Sequence, residues 1–154
     1  MIVYRCTLKK WARDTSGSGA FLYGGRWNNP GTYLLYTSEN HVLAAFEVAL
    51  RIPLEHISND YVMVPIEFPD HPPPEEPALP PRWYLQPEIT RSIGENFVSK
   101  GLHLAIKVPS ALISDSFNFL INPNHALKSE VRALEARPIL FDKRLLEMLR
   151  SKRS

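Results

Sequence analysis

The stretch that decides the fold is residues 24–51, GGRWNNPGTYLLYTSENHVLAAFEVALR. It begins with a glycine pair before Arg26, which is typical of backbone that is tight or closely approached. Asn28-Asn29-Pro30-Gly31 then forms a strong turn signal. Thr32 to Thr37 follows as an apolar strand that contains Tyr36. The order of these signals predicts a strand that starts from a tight, arginine-bearing loop.

A helix follows this strand. Ser38 is the expected N-cap, and Glu39 lies near the positive helix end. The helix is predicted over Glu39–Arg51, because Pro53 disfavours helical backbone before it. Within Val42–Leu50 every residue except Glu47 is apolar, so we expect the helix to be covered on most sides.

Glu47 is the unusual residue of this helix. Desolvating a carboxylate costs on the order of several kcal/mol, so it is seldom left without a partner in apolar surroundings. Glu47 either faces a polar cleft or pairs with a cation, and both cases point first to Arg26 and its loop. The alternative to such a role is a pair with Arg51 one helical turn later, an interaction of about a few tenths of a kcal/mol. The residues alone leave both alternatives open.

The rest of the chain alternates short strands with few helices. Ile2–Leu8 alternates as a first strand, which places Arg5 on the face opposite Cys6. Asp14–Ala20 is small and polar and predicts a flexible loop, while Pro65 predicts an edge strand or a bulge. The remaining predicted elements are strands over Tyr61–Phe68, Leu102–Val108, Phe117–Asn122 and Val131–Arg137, and helices over Thr90–Lys100 and Lys143–Arg150. This order favours an α+β fold over a doubly wound sheet.

Two segments are predicted to lie outside the core. Residues 69–87 are rich in proline and favour extended, polyproline-like backbone, so we expect a surface insertion whose end is held by Trp83-Tyr84-Leu85. Residues 143–154 form a basic helix and tail, capped by Asp142 and exposed to solvent. Neither segment is long enough to act as a separate domain, and residues 1–154 are interpreted as one domain.

Composition excludes several classes of protein. The formal charge of +2 and the absence of a basic aromatic stripe argue against nucleic-acid binding. One cysteine, Cys6, excludes an internal disulfide and favours a reducing compartment. No signal peptide or membrane-length apolar run is present, so a cytoplasmic protein is expected. The five histidines lack the spacing of a metal site, and no metal is expected.

Several segments together resemble one family. They are the RWNNPG motif with the downstream acid in AAFEVAL, then TRSIGENFVSKGLHLAIKVPSA, NFLINPNHAL and FDKRLL. In this order and spacing they resemble the RES domain family, over nearly the whole chain. The resemblance implies a toxin of a type II toxin–antitoxin pair, with an Xre-type helix-turn-helix antitoxin as partner. It also implies a fold like that of ADP-ribosyltransferases, with mixed or antiparallel sheets flanked by a few helices, and NAD as substrate.

The resemblance assigns roles to particular residues. Glu47, Arg26, Tyr36 and Ser110 match catalytic positions, with Glu47 orienting the ribose near the developing cation. Arg5 and Arg26 match positions that hold phosphate, for which an arginine fork is well suited. Tyr36 is expected against the nicotinamide ribose.

Asn122 and His125 are assigned to NAD binding, although a turn held by side-chain-to-backbone bonds explains them as well. Three functions remain open from the sequence. The first is cleavage of the nicotinamide–ribose bond of NAD, as a glycohydrolase or phosphorylase. The second is mono-ADP-ribosyl transfer to a specific protein, and the third is binding to the antitoxin as a corepressor.

Overall fold

Within residues 1–151, which the computed structural model describes apart from the side chains of Leu54 and Arg150, seven strands form one sheet. The strands pair antiparallel in the order β4-β5-β2-β1-β3-β6, and β7 also pairs with β3. The strands are β1 (Ile2–Leu8), β2 (Leu35–Ser38), β3 (Tyr61–Glu67), β4 (Ala105–Pro109), β5 (Phe117–Ile121), β6 (Arg132–Ala133) and β7 (Arg137–Pro138). The helices are α1 (Ser18–Tyr23), α2 (His41–Arg51), α3 (Pro87–Lys100) and α4 (Lys143–Ser151). The predicted α+β class is confirmed.

The two longest helices lie on the same face of the sheet. α2 packs over β1 and β3, in a cluster built on Cys6, Ala44 and Met63. α3 packs over β4 and β5, where Phe97 meets Ile106. The register Tyr36↔Leu120 and Ser38↔Asn118 places these β2 and β5 side chains on the same face as the helices. Tyr36 and Ser38 of β2 therefore face the region between α2 and α3.

The start of α2 differs from the prediction. Asn40, not Ser38, caps the helix, because its Oδ1 accepts a hydrogen bond from Leu43 N at 2.9 Å. Ser38 instead ends β2 and donates its hydroxyl to Asn118 Oδ1 across the strand pair, at 2.7 Å. Glu39 also points across the sheet, where Oε1 accepts from Phe117 N at 3.0 Å. Ser38 and Glu39 therefore bond to β5, although their local preference predicted that they start the helix.

The predicted loop Asp14–Ala20 contains the first turn of α1, so that prediction was wrong in its second half. Asp14 accepts hydrogen bonds from Ser16 N at 2.9 Å and from Ser18 Oγ at 2.9 Å. These bonds turn the chain into the helix, a local side-chain effect that composition alone does not reveal.

Pro65 was predicted to mark an edge or a bulge, and the edge alternative was wrong. β3 is covered on its outer side by β6, against Ile66–Glu67, and by β7, against Val62–Met63. Pro65 lies where the outer pairing passes from one short strand to the other, and its carbonyl accepts from Leu134 N at 2.9 Å. The predicted strand Val131–Arg137 is accordingly two separate two-residue strands.

The proline-rich segment 69–87 follows the outer edge of the sheet. Glu75 bridges β4, donating its N to Ala105 O at 3.1 Å and accepting from Lys107 N at 2.8 Å. Such cover protects an edge strand from pairing with another chain. At the far end, the ring of Trp83 lies 5.6 Å from that of Trp27. The segment therefore connects the β4 edge to the loop that carries Arg26.

The last helix begins as predicted after Asp142, whose Oδ1 accepts from Arg144 N at 2.8 Å. The basic tail residues Lys152 and Arg153 lie outside the described residues. No helix within residues 1–151 has the length and apolar character needed to cross a membrane.

Candidate active site

Glu47 points from the middle of α2 toward the start of β5. Its Oε1 accepts a hydrogen bond from Asn118 Nδ2 at 2.7 Å and a longer one from Ser110 Oγ at 3.4 Å. Among residues 1–151, no hydrogen bond ends on Oε2. One carboxylate oxygen of Glu47 is thus fixed by side chains from two other parts of the chain.

The two partners of Glu47 are themselves held in place. Asn118 Oδ1 accepts from Ser38 Oγ, which leaves Nδ2 as the group that faces the carboxylate. Ser110 lies just after β4, is only 7% exposed, and accepts from Leu112 N at 3.1 Å. A chain of hydrogen bonds therefore joins β2, β5, α2 and the end of β4.

Glu47 does not pair with Arg51 in the described part of the chain. The Arg51 guanidinium carbon instead lies 5.7 Å from the ring centroid of Tyr36, a cation–π arrangement. Glu47 thus has the polar side chains of Asn118 and Ser110 as its partners in place of Arg51.

Tyr36 fixes the loop in front of the sheet. Its hydroxyl accepts from Trp27 N at 3.0 Å and donates to Asn28 Oδ1 at 2.7 Å. Burial raises the pKa of Tyr36 to about 12, against the opposing effect of its hydrogen bond from Trp27 and of three nearby arginines. A Cβ at Gly25 would lie 2.6 Å from the Tyr36 hydroxyl oxygen, which explains the glycine. The Tyr36 hydroxyl thus holds the loop, while its ring packs against the core cluster that contains Trp27 and Leu120.

Arg26 extends from this loop toward solvent. Its Nη1 donates to Tyr84 O at 3.0 Å, and its guanidinium carbon lies 6.0 Å from the ring centroid of Trp83. The Arg26 carbonyl accepts from Thr90 Oγ1 at 2.6 Å, which ties the backbone to α3. The position of Arg26 is set by the end of the proline-rich segment on one side and by α3 on the other.

The structure does not bring Arg5 to Glu47. Arg5 lies on the other face of the sheet with Val3, and its Nη1 donates to the carbonyls of Asp14 and, at 3.5 Å, of Trp11. Burial lowers the pKa of Arg5, and the Asp14 carboxylate opposes that shift. Its observed contacts hold the loop before α1.

Asn122 and His125 lie at the opposite end of β5 from Asn118. Four residues along a strand correspond to about 13 Å. The Asn122 side chain donates to Val98 O at 3.3 Å and accepts from Asn124 N at 2.9 Å. His125 Nδ1 accepts from Leu127 N at 3.1 Å and caps a short turn. Both side chains have the turn contacts that the sequence offered as their alternative explanation.

Four residues that contact Glu47, Tyr36, Asn118 or the Arg26 loop were not proposed as site residues from the sequence. Arg91 on α3 donates Nε to Gly25 O at 3.2 Å, beside Arg26. Arg51 was considered only as a partner for Glu47, Ser38 only as a helix cap, and Asn118 only as part of the NFLINPNHAL segment. Asn118 had a usable signal, a polar residue inside a strand that is otherwise apolar. Arg91 had none, because helices commonly carry exposed arginines.

Comparison with known proteins gives a consistent result. A curated relative called Toxin Res from Pseudomonas putida is 34% identical over 115 residues, which is 73% of this chain and 79% of the relative. One called Prs ADP-ribosylating toxin, from Sphingobium sp., is 29% identical over 142 residues, or 88% of each chain. The crystal structure of the M. tuberculosis MbcT–MbcA toxin–antitoxin complex contains a chain that matches 97% of this one, with a TM-score of 0.67 at 16% identity, and 88% of that chain is covered.

That solved structure supports the fold alone, because its sequence identity is low. The family model described as the RES domain matches residues 2–142, nearly all of the sequence. This match, together with the 34% identical relative, shows that the chain belongs to the RES domain family.

Proposed function

We propose that this protein is a toxin that consumes NAD by cleaving the bond between nicotinamide and ribose. The observation that carries the proposal is the state of Glu47. Asn118 and Ser110 fix Oε1, while Oε2 has no hydrogen-bond partner within residues 1–151. A carboxylate held in this way beside an arginine-bearing loop suits a ribose whose positive charge develops in the transition state.

Each residue has a defined task in this reaction. As the C1′–N bond breaks, nicotinamide leaves with the bonding electron pair and becomes neutral, and positive charge spreads over the ribose. Glu47 accepts a hydrogen bond from a ribose hydroxyl that becomes more acidic as this charge grows. Water or phosphate then forms the new bond to C1′ and releases its proton to Glu47 or to solvent. Arg26 binds the phosphates, and the ring of Tyr36 packs against the ribose end of the substrate.

The test is release of free nicotinamide from NAD by the purified protein. Glu47→Gln removes the charge and keeps the size, and we expect a loss of about 100-fold or more in the rate constant. Glu135→Gln is the matched control, because Glu135 is exposed in the loop between β6 and β7. Equal rates for the wild-type protein and Glu47→Gln would contradict the mechanism.

A second reaction is favoured by one relative. The Sphingobium protein is called an ADP-ribosylating toxin, so the same first step could end on a protein acceptor in place of water. NAD labelled in its adenosine half, incubated with cell lysate, separates the two outcomes. Label that stays soluble indicates hydrolysis or phosphorolysis, whereas label bound to a protein indicates transfer.

We also propose an antitoxin as partner, of the Xre type implied by the resemblance. The fold neighbour from M. tuberculosis was solved in a toxin–antitoxin complex. An antitoxin that acts by occlusion should cover the Arg26 loop, because Arg26 is the residue proposed to bind the phosphates. A structure of the complex that leaves Arg26 open to solvent would contradict occlusion.

A further inference from the structure

Three arginines surround Tyr36. Arg51 lies over its ring, with 5.7 Å from the guanidinium carbon to the ring centroid. Arg91 reaches the carbonyl of Gly25 through Nε at 3.2 Å, next to Arg26 in the chain. All three guanidinium groups are close enough to act electrostatically on the Tyr36 hydroxyl. They come from a loop, from α2 and from α3, so the fold brings them together.

Among the described residues, this arginine cluster has no carboxylate partner. Within residues 1–151, none of the three arginines takes part in a salt bridge. The acids four residues from Arg51 and Arg91 on α2 and α3 bond to other groups. Glu47, before Arg51, binds Asn118, and Glu95, after Arg91, accepts from Asn29 N at 2.9 Å and from its Nδ2 at 2.7 Å.

Three like charges gathered without a counterion repel one another and disfavour the folded state. Their donors are also largely unused. Within residues 1–151, Arg91 uses only Nε, Arg26 only Nη1, and no hydrogen bond begins at the Arg51 guanidinium. Guanidinium forks of this kind match phosphate oxygens two at a time. The cluster is therefore suited to an anion with several oxygens.

We propose that Arg51 and Arg91 complete, with Arg26, a binding site for the pyrophosphate of the dinucleotide. This inference rests on the proposed function for the identity of the substrate. The position fits, since Arg51 lies one helical turn, about 5.4 Å, beyond Glu47. In NAD the first phosphate is attached to the same ribose whose C1′ carries nicotinamide. A ribose held by Glu47 would therefore place the phosphate attached to it within reach of Arg51.

A purely structural role for Arg51 makes a different prediction. Arg51 lies in the last turn of α2, where any cation interacts favourably with the helix dipole. Arg51→Lys keeps that charge but loses the planar fork. If the arginine only stabilises the helix end, the lysine variant will behave as the wild type.

The experiment has two measurements on the wild-type protein, Arg51→Gln, Arg91→Gln, Arg51→Lys and a control, Arg132→Gln. Arg132 is exposed on β6, at the far edge of the sheet from β5. Calorimetric titration with inorganic pyrophosphate measures the anion site without turnover, and nicotinamide release measures KM and kcat for NAD. Removing one charge-assisted fork should weaken pyrophosphate binding and raise KM by about 10- to 100-fold in both glutamine variants. Arg51→Lys should have a pyrophosphate affinity and a KM between those of the wild type and of Arg51→Gln. Arg132→Gln should match the wild type in both.

The outcomes separate this inference from the proposed reaction. Pyrophosphate binding that is lost in both glutamine variants supports the site, even if the wild type releases no nicotinamide, in which case only the reaction fails. Nicotinamide release with wild-type KM and wild-type pyrophosphate binding in both variants overturns the site and leaves the reaction standing. A fall in kcat with unchanged KM and unchanged pyrophosphate binding also overturns it.

Discussion

Asn118 holds Glu47 by a 2.7 Å hydrogen bond from Nδ2 to Oε1, across the gap between β5 and α2. The amide keeps this orientation because turning it over would place Oδ1 against the carboxylate, which can only accept, and in place Oδ1 accepts from Ser38 Oγ at 2.7 Å. A hydrogen bond to a charged group contributes about 1.5–3 kcal/mol. The direction of the Glu47 carboxylate is therefore decided by a residue on another strand.

Asn118→Asp should impair the reaction without unfolding the protein. The substitution keeps the shape but replaces the N–H donor with an oxygen, so two carboxylates face each other where a hydrogen bond stood. We expect nicotinamide release to fall by about 10- to 100-fold, mainly in kcat. Asn124→Asp adds the same charge at an exposed position after β5 and should have no effect. An active Asn118→Asp protein would show that Glu47 does not need this partner.

Gly94→Ala should destabilise the protein strongly. A Cβ there would lie 1.9 Å from the Trp27 carbonyl oxygen, which is backbone and cannot move aside cheaply. Overpacking of this kind costs about 1–3 kcal/mol or more. Gly19→Ala is the control, because nothing lies within 4 Å of its Cβ position in α1. It should stabilise by about 0.5–1 kcal/mol. Urea unfolding measures both, and equal stability of the two variants would contradict the close approach of α3 to the loop.

Local signals predicted the parts of the fold that local contacts decide. The end of α3 at Lys100 was predicted correctly, and the next residue, Gly101, adopts the left-handed conformation that commonly ends a helix, with φ of 59°. Glu47 was recognised because an acid in an apolar helix needs a partner. The identity of that partner was beyond such reasoning, since Asn118 lies 71 residues away.

The start of α2 and the edge position of Pro65 were predicted wrongly for a common physical reason, whereas the loop Asp14–Ala20 was mispredicted because of local side-chain bonds. Ser38 and Glu39 have good helix-start chemistry, yet both side chains bond to β5, and only the sheet pairing reveals this. Pro65 suggested an edge because proline cannot donate a ladder bond. In the structure β3 is not an edge strand, because two short strands, β6 and β7, pair with its outer side. Long-range pairing decided both of these cases.

Tyr36→Phe should loosen the loop that carries Arg26. It removes the hydroxyl that accepts from Trp27 N and donates to Asn28, leaving buried polar groups without a partner. Such a loss costs about 1–3 kcal/mol. The ring remains, so we expect a lower free energy of unfolding together with a higher KM for NAD. If KM were unchanged while stability fell, the hydroxyl would matter for folding only.

Alkaline pH should weaken the folded state through Cys6 and Tyr36. Burial raises the pKa of Cys6 from 9.0 to about 11 and that of Tyr36 from 10.0 to about 12. Both groups keep their protons longer in the folded chain than in the unfolded one. The free energy of unfolding should thus be highest below pH 9 and fall as pH rises from 9 to 12.

Each group accounts for about 2–3 kcal/mol of that fall, at about 1.4 kcal/mol per pKa unit. Cys6→Ala should remove the part between pH 9 and 11, and Tyr36→Phe the part between pH 10 and 12. Urea unfolding at a series of pH values measures the profile. An unchanged slope in Cys6→Ala would show that the thiol ionises alike in the folded and unfolded chains.

The proline-rich segment should contribute to substrate binding through Trp83 and Tyr84. Trp83 packs on Trp27 and lies under the Arg26 guanidinium, while the Tyr84 carbonyl accepts from Arg26 Nη1. Trp83→Ala removes the packing that holds this turn, so Arg26 gains freedom that NAD binding must then restrict. We expect KM for NAD to rise by about 10-fold, with a smaller change in kcat.

The control for this variant is Tyr23→Ala, because Tyr23 is 83% exposed at the end of α1 and its loss should change neither quantity. Trp83→Ala will also lower the free energy of unfolding, since replacing a core tryptophan by alanine typically costs about 3–5 kcal/mol. Kinetics are therefore measured well below the melting temperature of the variant, where it is fully folded. A wild-type KM under those conditions would mean that the segment only covers the sheet edge and that Arg26 is positioned by α3 alone, through Thr90.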